Sequence, residues 1–372
     1  MTKPRLSICI ATYNRAGYIG ETLESIIPQV TDEVEIVIVD GASTDDTESV
    51  VKRYVQACRQ IHYIRLSSKG GVDQDYCKAV ELAEGEYCWL FPDDDLLKPH
   101  AISTVLNEIS KGYSLVVVNA QVMSRDFSKV LENKRLQIDT NEIYSESQLE
   151  QLFNRAVSYM SFIGGVVINR NLWLHREKQR YFGTEFIHVG VVFQAPLPAG
   201  ALVIAEPYIT IRLGNAQWTQ RAFEIWMFKW PNLISSLAYA SEQVKREYQK
   251  TQSWIKLRNI ITYRAMGVYS LKEYQKWFAS NDSSLWWKLV IWLIGIIPAC
   301  IVNLFLLLYF QMMRGFVALF MAIIPAGSVN LSKPSYFKKI KKEAVKNIYI
   351  LENSENSITS IVRRKGLWKS LR

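Results

Sequence analysis

Three consecutive aspartates, Asp93, Asp94 and Asp95, follow the apolar run Tyr87–Phe91. Mg²⁺ and Mn²⁺ prefer oxygen ligands, and Mg²⁺ is typically held by one or two carboxylates together with substrate phosphates. A cation held in this way stabilises the negative charge that accumulates on a departing diphosphate. Capping of the following helix accounts for one of the three acids, but not for three in a row. The triplet therefore predicts a divalent-cation site that acts on a phosphorylated substrate.

Two further polar residues stand where an apolar run ends. Asp40 follows Val34–Val39 and precedes a polar turn, which makes it a candidate to hydrogen-bond a base or a ribose. A local turn stabilised by the Asp40 side chain is the alternative. Tyr13 follows Leu6–Ala11 and is a candidate to stack on or flank a base, with packing inside the protein as the alternative.

The apolar runs next to these residues predict alternating strands and helices. The predicted strands are Leu6–Ala11, Val34–Val39, Ile61–Leu66, Tyr87–Phe91 and Leu115–Asn119, and the predicted helices are Tyr18–Val30, Glu48–Cys58, Asp75–Ala83 and Pro99–Ser110. Such alternation is typical of an α/β fold, a mostly parallel sheet with helices on both faces. The ligand crevice of these sheets lies outside the carboxyl ends of the strands. We therefore expect Asp40, the turn Lys69–Asp75 and the aspartate triplet to line one crevice.

Several segments together carry a family resemblance. SICIATYNR, IVIVDGASTDDT, a Gly70-Gly71 pair before GEY and the aspartate triplet occur in this order within residues 5–120, and they resemble the family 2 glycosyltransferases of GT-A fold. EGEYCWLFPDDD, SFIGGVVINRNLW, and YFGTEFIHV followed by ITIRLGNAQW look like the narrower abequosyltransferase-type branch, which adds a dideoxyhexose to a lipid-linked O-antigen unit. This likeness extends to about residue 220. It implies an inverting transfer from a nucleotide-diphosphate sugar that depends on Mg²⁺ or Mn²⁺.

The resemblance also implies roles for individual residues. By position, it places at the nucleotide the backbone of Ala11 and the side chains of Thr12, Tyr13 and Asp40. It places Asp93 at the ribose and Asp94, with Asp95, at the metal. Two departures concern the donor site. The family often has a second acid after the second strand, where this chain has Gly41, and an Arg-Asn pair where this chain has Tyr76-Cys77. Compensation is expected from the neighbouring polar residues Lys69, Asp73 and Asp75.

An inverting transfer needs a general base that takes the proton of the acceptor hydroxyl. In the wider family a carboxylate in the acceptor half has this role, and Glu185 occupies the equivalent place in GTEFIHV. His188 is the alternative, because the unperturbed pKa of histidine lies near working pH. The resemblance to the abequosyltransferase-type branch includes His188 more clearly than Glu185. Glu185 is favoured as the catalytic residue, with His188 kept as the second candidate and an ordinary loop as the alternative to both. Arg212 is a candidate to grip a diphosphate, with surface pairing as its alternative.

The C-terminal third predicts contact with a membrane. The 25 residues between Lys288 and Arg314 carry no charge, which is long enough to cross a bilayer. A single crossing would separate the basic flanks, so re-entrant or in-plane helices broken near Pro298 and Arg314 are favoured over a tight hairpin, and a buried helical core is the alternative. From Lys333 to Arg372 there are eleven Lys and Arg against three Glu. Because the tail follows an apolar block, it predicts attraction to anionic lipid and no nucleic-acid partner.

The predicted organisation has five parts. Residues 1–120 form the nucleotide-sugar half of a GT-A domain, 121–221 its acceptor half, 222–284 a helical extension, 285–330 membrane-associated helices and 331–372 a basic cytoplasmic tail. The five cysteines form no C-x-x-C pair, which indicates reduced thiols in a reducing compartment. The N-terminus gives no signal peptide, since a strand begins near Leu6.

The function expected from these features is that of an inverting, metal-dependent glycosyltransferase in O-antigen-like surface polysaccharide synthesis. Its donor would be a nucleotide-diphosphate sugar and its acceptor a polyprenyl-diphosphate-linked saccharide, at the cytoplasmic face of the inner membrane. A membrane-bound nucleotidyltransferase is an alternative, although ATYNRAG is a poor phosphate loop. A catalytically inactive scaffold or binding protein on the same fold is the other.

Overall fold

The computed structural model of the protein describes residues 3–243, 245–246 and 256–323, the last eleven as backbone only. The predicted basic tail, 331–372, and residues 324–330 of the predicted membrane segment lie outside the described residues. The described chain forms one extended sheet with helices, followed by further helices.

Ten strands are present in the described ranges. They are β1 Leu6–Thr12, β2 Val34–Asp40, β3 Ile61–Arg65, β4 Tyr87–Phe91, β5 Leu96–Leu97, β6 Leu115–Met123, β7 Val130–Glu132, β8 Glu142–Tyr144, β9 Val166–Asn169 and β10 Ala201–Arg212. The five strands predicted for the first 120 residues are all present. Four of them, β1, β2, β4 and β6, are largely buried, whereas β3 is buried only at Ile61. Strand β9 covers only the second half of the SFIGGVVIN segment and begins at Val166.

The strands form a single sheet in the order β3-β2-β1-β4-β9-β6-β10-β5, with β7 beside β6 and β8 beside β10. Strands β1 to β4 are parallel neighbours. Strand β9 lies antiparallel between β4 and β6, and β10 is parallel to β6. The predicted α/β class is confirmed, with a mixed sheet in place of a nearly all-parallel one. The register between β10 and β6 shifts at Pro207.

The α-helices are α1 Ile19–Ile26, α2 Thr47–Ala57, α3 Val72–Leu82, α4 Ala101–Ile109, α5 Leu149–Ala156, α6 Arg170–His175, α7 Ile187–Phe193, α8 Ala222–Glu224, α9 Trp230–Ser236, α10 Leu257–Ala265, α11 Leu271–Trp277, α12 Leu285–Ile296 and α13 Ala299–Ile323. Helix α3 begins three residues earlier than predicted. Gly71 directly precedes it with φ +104°, a backbone conformation that favours glycine. Both Asp73 and Asp75 therefore belong to the first turn of α3.

A buried acid connects the central strands near the end at which β1 and β2 begin. Glu35 of β2 is 5% exposed, and its Oε1 accepts hydrogen bonds from the Ser7 hydroxyl and from the backbone N–H of Glu84 and Gly85. A Cβ at Gly85 would lie 2.8 Å from the backbone N of Ser7, so only glycine allows this approach. The network fixes β1, β2 and the turn before β4, and so sets the height at which the three strands end.

The chain divides into two compact units. The first comprises Met1–Leu213 and Lys229–Tyr248, and contains the sheet; the second comprises Gly214–Phe228 and Gln249–Arg372. In the second unit, buried apolar side chains from α8, α12 and the segments between them form one cluster, with Phe223, Tyr269, Phe278 and Ile291 among its members. The boundary predicted after residue 221 therefore does not coincide with this division, because residues on both sides of it belong to the second unit.

The described part of the second unit ends in two apolar helices. Within the described parts of the chain, no single helix is long and apolar enough to cross a membrane; α12 and Ala299–Met312 meet that condition only as a pair, bent by 96°. The bend confirms the predicted break near Pro298. The predicted break near Arg314 is wrong, since α13 continues to Ile323. The sequence here contains no proline and only one glycine to interrupt a helix.

Candidate active site

The carboxyl ends of β1, β2 and β4 meet at one edge of the sheet. Thr12, the last residue of β1, is in register with Asp40, the last residue of β2. Ile10 is in register with Phe91, the last residue of β4. Asp93, two residues beyond Phe91, therefore emerges level with Thr12 and Asp40. The sheet thus brings the predicted nucleotide residues and the aspartate triplet together.

Arg15 connects the first strand-to-helix turn to the triplet. Its Nε lies 3.3 Å from Asp93 Oδ1 and its Nη2 lies 3.0 Å from Asp94 Oδ2. Its backbone N–H donates to Thr47 Oγ1 at 2.7 Å, which fixes the turn. The sequence interpretation did not assign Arg15 a role. The only signal was its place in the loop after β1, opposite the loop after β4.

The three aspartates have different environments. Asp95 is 3% exposed, and its Oδ1 accepts the backbone N–H of Arg212 at 2.8 Å. Burial raises the pKa of Asp95 well above its usual range, and the charge of Asp94 adds to this effect. Burial, followed by the charge of Asp94, also raises the pKa of Asp93, and Arg15 opposes the rise. The Asp94 side chain keeps 13% of its surface exposed.

Arg212 fixes the loop that carries the triplet. Its Nε donates to the backbone oxygen of Asp94 at 3.1 Å, Nη1 donates to the backbone oxygen of Arg125 at 2.9 Å, and Nη2 pairs with Glu21. Every guanidinium nitrogen therefore already has an acceptor. Pairing within the protein therefore fits Arg212 better than a diphosphate-gripping role, although the residue is buried and not on the surface as its alternative expected.

A divalent cation fits this edge through Asp94. Asp95 does not fit the ligand role predicted for it, because its carboxylate is buried and accepts a backbone N–H. In the described ranges, no group of three or more His, Cys, Asp or Glu is arranged to hold a metal ion. A cation that takes most of its ligands from a diphosphate and water requires only one or two protein carboxylates. Asp94 meets that requirement, with Asp93 beside it.

Asp40 is committed to the protein itself. It is fully buried, with 0% of its surface exposed. Its Oδ1 accepts the backbone N–H of Ser43 at 2.7 Å, and its Oδ2 accepts the hydroxyl of Tyr63 at 2.6 Å. Burial raises the pKa of Tyr63, and the hydrogen bond to Asp40 adds to the rise. The local turn named as the alternative is therefore present, and Asp40 supports the crevice from behind.

The other predicted nucleotide residues lie along the same edge. Ala11 is half-buried beside Val39 in the sheet. The backbone oxygen of Thr12 accepts the N–H of Gly41 at 2.9 Å. Lys69, from the turn before α3, places its Nζ 3.6 Å from the centre of the Tyr13 ring. The structure thus brings Tyr13 and Lys69 together, as a cation on an aromatic face.

Asp73 does not have the role predicted for it at the nucleotide. It is 4% exposed, its Oδ2 accepts the backbone N–H of Glu185 at 3.0 Å, and its Oδ1 accepts that of Ile187 at 3.1 Å. Burial raises the pKa of Asp73 to about 6, against these two hydrogen bonds. Asp73 therefore holds the loop of the predicted base. This correction reflects the helical turn, which directs Asp73 away from the crevice that Asp75 adjoins.

The Glu185 carboxylate forms an ion pair within the protein but remains partly exposed. Its side chain is 17% exposed, and its Oε1 lies 3.2 Å from Nζ of Lys229. Its φ of +71° is in the left-handed region, which a residue with a Cβ adopts only at a cost in free energy. The hydrogen bond from its backbone N–H to Asp73 helps to hold this conformation. The loop thus presents a carboxylate paired with a cation.

His188 does not fit the role of an alternative base. It is 1% exposed, and its Nε2 donates to the backbone oxygen of Met160 at 2.6 Å. Burial lowers the pKa of His188 from 6.5 to about 4, so the ring is neutral at physiological pH. A base must reach the proton that it removes, and an enclosed ring in the first turn of α7 does not. The apolar residues around it in IHVGVVF were a signal of this burial.

Several known proteins are similar to this chain in sequence or in fold. Residues 7–170 match the family described as "Glycosyl transferase family 2". An abequosyltransferase from Salmonella typhimurium is 27% identical over 229 residues, which span 58% of this chain and 69% of that protein. A GalNAc(5)-diNAcBac-PP-undecaprenol β-1,3-glucosyltransferase from Campylobacter jejuni is 30% identical over 37% of this chain and 45% of its own length. The chain thus spans less than half of the Campylobacter relative.

The crystal structure of TarS residues 1–349 from S. aureus in complex with UDP-GlcNAc has a TM-score of 0.53 and 14% sequence identity, over 97% of this chain and 92% of that one. At this identity the likeness concerns the fold alone, which is GT-A-like. The family match covers β1 to β9 and the aspartate triplet. Residues 7–170 of this chain are therefore similar in sequence to a glycosyl transferase family 2 domain.

Proposed function

We propose that the protein is an inverting glycosyltransferase that moves a sugar from a nucleotide-diphosphate donor to a lipid-linked saccharide in surface polysaccharide synthesis. The observation that carries the proposal is the pairing of Arg15 with Asp93 and Asp94 at the carboxyl edge of β1, β2 and β4. The family match over the same residues supports it. Glu185, on a loop tied to α3 through Asp73, supplies a second carboxylate.

The donor half binds and orients the nucleotide diphosphate. Arg15 holds Asp93 and Asp94 in position, and Arg212 holds the backbone of the same loop. Asp94 would hold Mg²⁺ or Mn²⁺ together with oxygens of the diphosphate. When bound, such a cation stabilises the negative charge that the leaving diphosphate gains.

The acceptor half supplies the general base. The Glu185 carboxylate takes the proton of the acceptor hydroxyl as the hydroxyl oxygen attacks the anomeric carbon from the side opposite the diphosphate. The bond to the diphosphate breaks as the new glycosidic bond forms, and the configuration at the anomeric carbon inverts. Lys229, with its Nζ 3.2 Å from Glu185 Oε1, pairs with the carboxylate and orients it.

The names of the relatives support the classes of donor and acceptor. The Campylobacter protein is named for a saccharide on undecaprenol diphosphate, and the Salmonella protein for transfer of abequose. By this analogy we propose a polyprenyl-diphosphate-linked acceptor for the present chain. The analogy leaves the sugar of the donor open.

Exposed apolar side chains support a membrane location. Leu285 and Trp286 at the start of α12 are 86% and 73% exposed, and Phe305 and Met312 of α13 are 68% and 75% exposed. Large apolar residues exposed together on a helix pair mark an interaction surface. We propose that this surface lies in the lipid interface on the cytoplasmic face of the inner membrane, where a lipid-linked acceptor is found. The tail 331–372 would add attraction to anionic lipid.

The proposal is tested by incubating the purified full-length protein with a panel of nucleotide-diphosphate sugars, Mn²⁺ or Mg²⁺, and a polyprenyl-diphosphate saccharide extract. The expected result is release of nucleoside diphosphate from one donor, with radiolabel from its sugar appearing in the lipid fraction. A nucleotidyltransferase would instead transfer the nucleoside monophosphate of the donor and release its sugar as sugar 1-phosphate. A scaffold would turn over none of the donors, and either of these results would overturn the proposal.

A further inference from the structure

A buried carboxylate at the same sheet edge has an oxygen without a partner. Asp75 is 3% exposed, and its Oδ1 is buried and makes no hydrogen bond with any described residue. A buried polar atom without a partner costs free energy, and native proteins rarely retain one without a reason. Burial raises the pKa of Asp75 to about 6; the charge of Lys69 opposes the rise, and that of Asp40 adds to it.

Two glycines make room for this carboxylate. A Cβ at Gly41 would lie 2.7 Å from Asp75 Oδ2, and a Cβ at Gly70 would lie 3.2 Å from Asp75 Oδ1. Gly41 is the residue directly after β2, and Gly70 belongs to the exposed turn before α3. The Asp75 carboxylate, although it comes from helix α3, thus occupies the space that a side chain after β2 would fill.

Asp40 and Asp75 differ in what remains available to a ligand. Both oxygens of Asp40 already accept hydrogen bonds from Ser43 and Tyr63. Asp75 Oδ1 accepts none from the described residues. Its position near the N-terminus of α3 is favourable for an acid, but that does not explain glycine at both 41 and 70. The carboxylate is poised to accept a hydrogen bond from a molecule that enters beside Tyr13 and Lys69.

We propose that Asp75 is the specificity-determining residue for the base of the donor, and that its Oδ1 accepts a hydrogen bond from an imino or amino N–H on the edge of that base. This inference rests on the proposed function, because it requires a nucleoside diphosphate at this edge of the sheet. In this arrangement Asp40 stabilises the turn after β2, and Asp75 recognises the base.

The test measures the affinity of the full-length protein for UDP, CDP, dTDP, GDP and ADP by calorimetry in the presence of Mn²⁺. One base is expected to bind best. Asp75→Asn should weaken binding of that nucleotide by about tenfold or more, the worth of a hydrogen bond to a charged group. Ribose 5-diphosphate, which lacks a base, should bind both proteins equally. Glu81→Gln, which neutralises an exposed acid on the same helix, should leave all the affinities unchanged.

A second variant keeps the charge and moves the carboxylate. Gly41→Ala should displace Asp75 Oδ2 and reproduce the loss of base preference. A nucleotide methylated at the donated nitrogen should bind wild type about tenfold more weakly, with no further loss in Asp75→Asn, as a double-mutant cycle requires. If both variants keep the full preference among bases, this inference is wrong while the proposed function stands. If no nucleoside diphosphate binds to the wild-type protein, the proposed function fails, and this inference fails with it.

Discussion

Asp73, in the first turn of α3, accepts the backbone N–H of Glu185 at 3.0 Å, although 112 residues separate them in the chain. It accepts the N–H of Ile187 as well. The two hydrogen bonds join the half of the domain that would bind the donor to the loop that carries the proposed base. They also hold Glu185 in a left-handed backbone conformation, so we expect Asp73 to act as a positioning residue for the proposed reaction.

Replacing Asp73 with asparagine should therefore lower kcat without raising KM for the donor. An amide has one acceptor oxygen and turns its NH₂ toward one of the two N–H groups, so at least one hydrogen bond is lost. We expect a fall in kcat of about tenfold, in line with the loss of one hydrogen bond to a charged group. Steady-state kinetics with varied donor measure both constants, and Glu81→Gln on the same helix is the control. An unchanged kcat would show that Asp73 has no part in positioning Glu185.

The two candidates for the base can be separated by substitution. Glu185→Gln keeps the shape of the side chain and removes its basicity, and it should lower kcat by about 10²-fold to 10⁴-fold. His188→Gln keeps a donor for the backbone oxygen of Met160 and should leave kcat unchanged. Both are read from initial rates at saturating donor. If His188→Gln inactivates the enzyme and Glu185→Gln does not, His188 is the base and Glu185 is not.

His188 should also make the stability of the first unit depend on pH. Burial lowers its pKa from 6.5 to about 4, so the unfolded chain binds a proton more readily than the folded one does. The stabilising contribution is present above pH 6.5 and is lost as the pH falls toward 4, by up to about 3 kcal/mol in the free energy of unfolding.

Urea unfolding at pH 7, 5.5 and 4.5 measures this effect. The difference in stability between wild type and His188→Gln should shrink as the pH falls, because the glutamine has no proton to gain. The carboxyls with raised pKa, such as Asp73 and Asp75, are common to both proteins and cancel in the comparison. A difference that stays constant with pH would mean that His188 is not held neutral by burial.

Contact with lipid is predicted to depend on the exposed apolar residues of α12 and α13. Trp286→Asp and Phe305→Asp together should reduce sedimentation of the protein with vesicles that contain phosphatidylglycerol. Ile143→Asp is the matched control, since Ile143 is 64% exposed but lies on strand β8 in the first unit. Truncation at residue 285 is a poorer test, because Ile291 belongs to the core cluster of the second unit and Trp287 packs against that cluster. Undiminished sedimentation of the double variant would exclude this surface as the lipid contact.

The sequence predicts the sheet edge well because its signals are local. Strands β1, β2 and β4 are largely buried apolar runs. The first two end in a polar residue, Thr12 and Asp40, and β4 is followed by Pro92 and the aspartate triplet. Their parallel order then brings Thr12, Asp40 and the triplet to one edge without further information. The same reasoning leaves out Arg15, whose partner Asp94 lies 79 residues away.

The remaining differences arise from long-range packing. The antiparallel insertion of β9 between β4 and β6 has no counterpart in local periodicity. In the sequence, Asp73 and Asp75 are both candidates for the donor site. Because α3 begins at Val72, their side chains lie in different surroundings. Asp73 accepts a hydrogen bond from the loop of Glu185, and Asp75 lies beside Gly41, directly after β2. His188 is the avoidable error, because a histidine within an apolar helix is expected to be buried.

The central claim concerns Asp94, and the most direct measurement compares the release of nucleoside diphosphate from the preferred donor by wild type and by Asp94→Asn. Asp32→Asn, which removes an exposed acid paired with Arg59, controls for the loss of a charge. We predict that Asp94→Asn keeps the melting temperature of the wild-type protein and loses about 10²-fold or more in turnover, while Asp32→Asn keeps full turnover. A folded Asp94→Asn variant that turns over donor at the wild-type rate would contradict the account.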